Sequence, residues 1–355
     1  MASINLIGRD NGVGLSRDMR LVANALSAAG FEVRIWGLRR GKLRKWLRPL
    51  WMKLRVAGMR AAGTAPADLN LMFEHVHRDF LPLARRTALL PNPEWFDERD
   101  RALFDRVDAV LAKTRHAQAV FEALGKPTEF VGFTSEDRLL PGRRRELAFF
   151  HLAGRSGNKG TQRLLALWRR HPEWPVLRVL QNPCKAQPGP AAANIEHRVG
   201  YVGDDELRRL QNEHAVHLCP SETEGFGHYI VEAMSVGAVT ITLDAEPMNE
   251  LVGADRGVLV AAAARGRQHL ATTYHFDEAA MEAAIERVLA MPSPERERIG
   301  ARARAWYEAN DRQFGDRLVA AVRNLLKADR IGDAAGAGNN DARVPLRPGT
   351  AQRQL

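Results

Sequence analysis

Cysteine is nearly missing from this chain: Cys184 and Cys219 are the two among 355 residues. That pair builds no disulfide framework, and neither thiol has zinc-like spacing to other ligands. A reducing compartment is expected. Long apolar runs are missing too. No stretch reaches the roughly 18 residues of a membrane-spanning helix, and residues 1–6 lack a basic leader ahead of an apolar segment. The expectation is a cytoplasmic protein, at most peripheral to a membrane. Acidic residues are missing from one long interval: there is no Asp or Glu from residue 33 to residue 67. The whole chain carries a formal net charge of +10. Such a surplus attracts phospholipid, nucleic acid or a phosphorylated substrate.

What is present points to an α/β protein of two domains. The chain is too long for one ordinary core, and its apolar content is that of a globular protein. Residues 3–8 read as a strand ending in the loop Arg9-Asp10-Asn11-Gly12-Val13-Gly14. Leu15, Met19, Val22, Leu26 and Ala29 then recur at helical spacing, and residues 31–36 read as a second strand. Further strands are expected at 69–73, 87–90, 107–112 and 129–133. After the polar break at 141–145 the pattern restarts, with strands at 147–153, 176–180, 215–219 and 239–243. Helices are expected between them at 161–170, 204–212 and 228–236. Strands alternating with helices imply parallel sheets, here two doubly wound Rossmann-like domains facing a cleft. The boundaries expected are 1–142 and 146–310, then a helix over 311–328 and an unstructured tail over 332–355.

The richest stretch runs from Pro220 to Met234, PSETEGFGHYIVEAM. Glu224 and Glu232 bracket seven residues. A strand enters, a glycine turn follows, and a helix leaves. Such a helix N-terminus lies beyond the carboxyl end of the strand, where open α/β sheets bind ligands. Backbone N–H groups of Gly225, Phe226, Gly227 and His228 would face that place, with the helix dipole behind them. Glu232 in the first turns can lean back toward it. The plain alternative is a dipole-stabilising acid and a turn. The loop at Gly12 and Gly14 is a poor dinucleotide fingerprint, because its third position is Arg17 and no acid closes the second strand.

The string from Glu224 to Glu232 resembles the E-x7-E motif of retaining GT-B glycosyltransferases, in particular family 4. The likeness continues through residues 232–240 to Pro247-Met248-Asn249-Glu250. The resemblance implies a retaining, metal-independent hexosyltransferase, with no cofactor beyond a nucleoside-diphosphate sugar as substrate. Its acceptor would be a carbohydrate or a lipid-linked hydroxyl in envelope glycan synthesis. Glu224 would hold donor-sugar hydroxyls, Glu232 the ribose, and Glu250 would lie near the nucleotide. Arg155 and Lys159, in Gly-Arg-Ser-Gly-Asn-Lys-Gly, would neutralise the departing diphosphate. Three residues separate this pair where the family commonly has four or more. Gly12 and Gly14 resemble the glycine-rich loop under the donor phosphates. A histidine near the donor sugar would be His75 or His77, with His75 preferred. The C-terminal helix would cross back to brace the first domain.

The segment from Arg39 to Arg55 places Leu43, Leu47, Leu50 and Leu54 on one helical stripe, with Trp46 and Trp51 beside it. Cations with interfacial aromatics suit an anionic membrane surface. An ordinary solvated helix is the alternative, and against the membrane stripe Pro49 would break a continuous helix unless it sits in the first turn. A nucleic-acid partner is disfavoured. So is a metal at His75 and His77, since no nearby acid completes a set.

Overall fold

The computed structural model describes residues 1–10, 12, 14–38, 42–63, 65–143 and 145–337. The first sheet contains β1 (Ser3–Arg9), β2 (Glu32–Leu38), β3 (Ala67–Phe73), β4 (Ala84–Leu90), β5 (Ala109–Ala112) and β6 (Thr128–Phe130), in the order β2-β1-β3-β4-β5-β6. The second contains β7 (Glu146–Gly154), β8 (Leu177–Gln181), β9 (Ile195–Val199), β10 (His214–Cys219), β11 (Val239–Leu243) and β12 (Val258–Val260), in the order β12-β11-β10-β7-β8-β9. Every pairing in both sheets is parallel. The helices are α1 (Gly14–Ala28), α2 (Lys42–Ala61), α3 (Glu98–Arg101), α4 (Arg115–Glu122), α5 (Thr161–Arg170), α6 (Asp204–Glu213), α7 (His228–Ser235), α8 (Met248–Leu251), α9 (Glu278–Ala290) and α10 (Ser293–Ala337).

Strand order reverses once in each sheet, between β1 and β3 and between β7 and β10. Loops at such a switch point diverge to opposite faces and leave a crevice. The glycine loop and His75 leave one switch point. The Arg155–Lys159 loop and the Glu224 turn leave the other. The fold thus brings together the motifs that the sequence holds far apart.

The central strands are apolar on both faces because helices cover both. β3 and β11 are buried almost throughout. One apolar cluster runs from Ile4 and Leu71 through Phe133 to Phe149, Ile230 and Leu318, so the two sheets share a core at the hinge. Phe133 is its pivot: its ring lies 5.4 Å from Phe226 and 4.9 Å from Phe314, both tilted or edge-on. α10 fastens the joint. Asn310 donates to the Phe133 carbonyl at 2.7 Å, Arg317 to the Val131 carbonyl at 2.9 Å, and Thr134 to Asp311 at 2.7 Å.

One expectation is corrected, and other elements add to what was expected. α2 continues through Pro49. Met52 buries among first-sheet side chains and Arg48 bonds Asp79 at 2.9 Å, so tertiary anchoring carries the helix past the proline. α10 runs unbroken through the expected boundary at 310/311 and on to Ala337, past the expected start of the tail at 332. Residues 338–355 lie outside the described residues. Finally, an antiparallel hairpin, β13 (Ala262–Gln268) and β14 (Ala271–Phe276), leaves the second domain and was not foreseen. Its tip residue Leu270 packs on the small apolar cluster of the first domain, and the Leu270 N–H donates to the Pro93 carbonyl at 3.2 Å.

Candidate active site

The Glu224 turn is built by close approaches. The Glu222 N–H donates to the Asn158 carbonyl at 2.9 Å, which lays the loop after β7 against the turn after β10. Gly160 adopts φ +63 and presses on the Pro220 carbonyl, where a Cβ has no room. Lys159 therefore reaches the turn. Its ammonium pairs with Glu224, which also accepts from the Ser221 hydroxyl. The same ammonium stands 3.8 Å from the centre of the Tyr229 ring, and the Tyr229 hydroxyl meets Ser221 at 2.6 Å. Gly227, at φ +103, opens α7 without a side-chain cap. No backbone acceptor serves the N–H groups of Gly225, Phe226 and Gly227 among the described residues. Unbonded amides at a helix head attract anions and hydroxyls.

The other expected residues fall into four groups. Arg155 is exposed on the Lys159 loop and has no ion pair among the described residues. Glu232 is buried, but Arg17 of α1 and Gln211 hold its carboxylate, the latter at 2.8 Å. The side chains of Phe226 and His228 face the hinge. Phe226 packs on Phe133, while His228 donates or accepts at Ser135 (2.7 Å) and Asp18 (2.6 Å). Glu250, on α8, engages the first domain. Its two oxygens accept the Arg115 and His116 N–H groups at 2.7 and 2.6 Å, so it caps α4 of the other domain.

The first domain contributes its own side. Gly12 has φ +70 and its N–H donates to Ser16 at 2.8 Å, while the space beside Gly12 and Gly14 is open. A cavity of about 510 Å³ adjoins this loop, lined by residues that include Asp10, Ser16, Arg20 and Gly37. His75 bonds Asp100 at 2.8 Å, and that bond raises its pKa against the opposing effect of burial. His77 packs on Phe80, and burial lowers its pKa to about 4. His75 is thus the member of the pair beside Glu74, at 3.7 Å. His75, Asp97 and Asp100 also bring ligand atoms within 4.8 Å of one another. The acids were not foreseen as its neighbours, yet they are already occupied: Asp97 and Asp100 form the capping box of α3, and Asp100 accepts the Val76 N–H at 2.8 Å.

Sequence reasoning missed the buried charges. Asp18 accepts from Lys113 at 2.5 Å and meets His228 at 2.6 Å. Burial pushes its carboxyl up, but Lys113 and His228 outweigh that and hold it at about 2. Glu94 is the opposite case. Burial, reinforced by nearby Glu224 and Glu74, pushes it up to about 8. It comes from the Pro93–Trp95 turn after β4, and its Oε1 lies 2.7 Å from where a Cβ on Gly225 would stand. No sequence signal marked it, since Asn-Pro-Glu-Trp reads as a turn and its partner lies far along the chain.

Residues 191–306 match the family model described as glycosyl transferases group 1. A sequence comparison with curated proteins yields no match. Among solved structures, the chain is similar to a sucrose-phosphate synthase from Thermosynechococcus elongatus, at 16% identity and TM-score 0.66, over 92% of this chain and 100% of that one. It is similar to Anabaena HepE in complex with UDP and glucose, at 12% identity and TM-score 0.61, over 92% and 100%. It is also similar to WaaB, a lipopolysaccharide outer core galactosyltransferase, at 14% identity and TM-score 0.61, over 90% and 99%. The chain therefore has the α/β GT-B fold, and its segment 191–306 carries the match to the glycosyl transferases group 1.

Proposed function

We propose that the protein transfers a hexosyl unit from a nucleoside-diphosphate sugar to a hydroxyl acceptor, with retention at the anomeric carbon, as a family 4 type enzyme. The observation that carries this reading is the Lys159–Glu224 pair beside the unbonded amides of Gly225–Gly227 at the switch point. A carboxylate accepts bonds from vicinal hydroxyls, whereas an ammonium and amide N–H groups suit a diphosphate. In the step itself the bond from the anomeric carbon to the phosphate oxygen breaks, the bond to the acceptor oxygen forms, and the acceptor proton passes to the leaving phosphate. Lys159 and Arg155 stabilise the charge that develops there, so the chain's own residues supply the electrostatic work without a metal. Glu232 takes the ribose once Arg17 swings aside.

The relatives support a nucleotide sugar as donor: HepE is described with UDP and glucose, and WaaB as a galactosyltransferase. An envelope glycan or glycolipid acceptor fits the surface of α2. Leu50 and Leu54 there are 58% and 64% exposed, Trp51 lies between them, and Lys53 and Arg55 add charge. No helix among the described residues is long and apolar enough to cross a membrane. We place the protein in the cytoplasm, seated on an anionic membrane face through α2.

The test is turnover of a panel of uridine, guanosine and adenosine diphosphate sugars, with the product anomer read by NMR. Retained configuration with one donor, and loss of at least 100-fold in Glu224→Ala, supports the reading. No turnover with any donor, or an inverted product, refutes it. Flotation with phosphatidylglycerol vesicles tests α2: Leu50→Ser with Trp51→Ser abolishes binding if the seat is correct.

A further inference from the structure

Three buried polar atoms without a hydrogen-bond partner among the described residues belong to the contact between the Asn92–Glu94 turn and the Thr223–Gly225 turn. They are Asn92 Oδ1, Glu94 Oε2 and Thr223 Oγ1. Asn92 and Glu94 belong to the first domain, on the turn after β4. Thr223 belongs to the second, one residue before Glu224. Gly225 joins the two sides, because a Cβ there would lie 2.5 Å from the Asn92 amide and 2.7 Å from Glu94 Oε1. Glu94 is 7% exposed and Thr223 5%. Buried polar groups nearly always have partners, and three orphans together call for a ligand that supplies them.

The chemistry of the set selects the ligand. Burial pushes the Glu94 carboxyl up to about 8, with Glu224 adding to the rise, so it keeps most of its proton at pH 7. The set then offers a carboxyl O–H, an amide carbonyl and a hydroxyl, next to the acceptor oxygens of Glu224. The cation that acts on Glu94, Lys113, is already paired with Asp18, so a phosphate would meet acids. A neutral ring bearing adjacent hydroxyls satisfies all of them.

We propose that Asn92, Glu94 and Thr223 form a hydroxyl-reading wall opposite Glu224, and that this wall determines which sugar the enzyme transfers. The wall rests on the glycosyl-transfer reading and deepens it. The sugar enters as the two domains part, and the orphaned atoms close on it when they meet. The diphosphate lies at Lys159, Arg155 and the amides of Phe226 and Gly227, beyond the Gly225 contact with the wall. Sugar and nucleotide are thus recognised by different side chains.

The experiment compares the wild type, Glu94→Gln, Glu94→Ala and Asn92→Ala. It reads kcat and KM for the nucleotide sugar between pH 5.5 and 9.5, and the Kd of the free nucleoside diphosphate by calorimetry. Glu94→Ala should lose at least 30-fold in kcat/KM while binding the nucleoside diphosphate within twofold of the wild type. Asn92→Ala should shift the preference among epimeric sugars. Glu94→Gln keeps a neutral donor and should stay within fivefold at pH 7. The wild type should fall off above about pH 8, and Glu94→Gln should lack that alkaline fall. Full activity in Glu94→Ala, equal losses for sugar nucleotide and free nucleotide, or an alkaline fall that persists in Glu94→Gln would overturn the wall. A wild type that turns over no nucleotide sugar fails earlier, at the reading beneath it, and takes the wall with it.

Discussion

Replacing Glu94 by Gln should stabilise the protein at high pH and hardly at low pH. The folded carboxyl sits at about 8 against 4.5 for the free group. A raised acid binds more protons folded than unfolded. Its folded form loses nothing below pH 4.5, and loses stability as pH rises from there through 8. Each unit of separation corresponds to about 1.4 kcal/mol. The penalty is then about 1 kcal/mol at pH 5, about 3 at pH 7 and about 4 at pH 8. Gln has the shape of the neutral acid and never ionises, so Glu94→Gln should exceed the wild type by those amounts. Other titrating groups are common to both proteins and cancel in the difference. Urea unfolding at pH 5, 7 and 8 measures it directly. A difference that stays flat from pH 5 to pH 8 would refute the reasoning, because Glu94 would then ionise as freely folded as unfolded. A less stable Gln variant at pH 8 would refute it outright.

Other residues give equally sharp expectations. Gly225→Ala forces a methyl onto Asn92 and Glu94 and should destabilise by about 1–3 kcal/mol; Gly14→Ala, with open space beside it, is the control and should stay within about 0.5 kcal/mol by thermal unfolding. Asp18→Asn leaves the buried Lys113 ammonium without its carboxylate and should lose about 3–5 kcal/mol. In the wild type that carboxyl, held at about 2 against 3.8, contributes about 2 kcal/mol above pH 4, lost as pH falls through 2; acid titration by circular dichroism checks the window. Glu250→Ala uncovers the first N–H groups of α4 and should cost about 1–2 kcal/mol, with hydrogen exchange accelerating at Arg115 and His116.

Much of this was legible in the sequence for a physical reason. Parallel strands buried on both faces leave continuous apolar runs, as at 69–73 and 239–243, and the helices between them carry their own periodicity. Glu224 and Lys159 were legible because their loops leave adjacent strands, β10 and β7. The hairpin over 262–276 was not, since its strands are largely exposed and show no alternation. β9 escaped for the same reason, being a polar edge strand. Arg17 was noticed only as the residue that spoils a dinucleotide fingerprint. Its partner, Glu232, lies 215 positions away, and nothing local marks such a pair. Glu94 is the same lesson: a carboxyl that reads as turn punctuation becomes chemically distinctive only when another domain closes over it.

The hairpin tip has a mechanical corollary. Leu270 belongs to one lobe by chain and to the other by packing, so the lobes cannot swing apart without drawing a leucine out of its socket. Removing such a side chain from apolar surroundings takes about 1–2 kcal/mol when it is partly covered. The tip therefore ties any opening of the lobes to the loss of that contact.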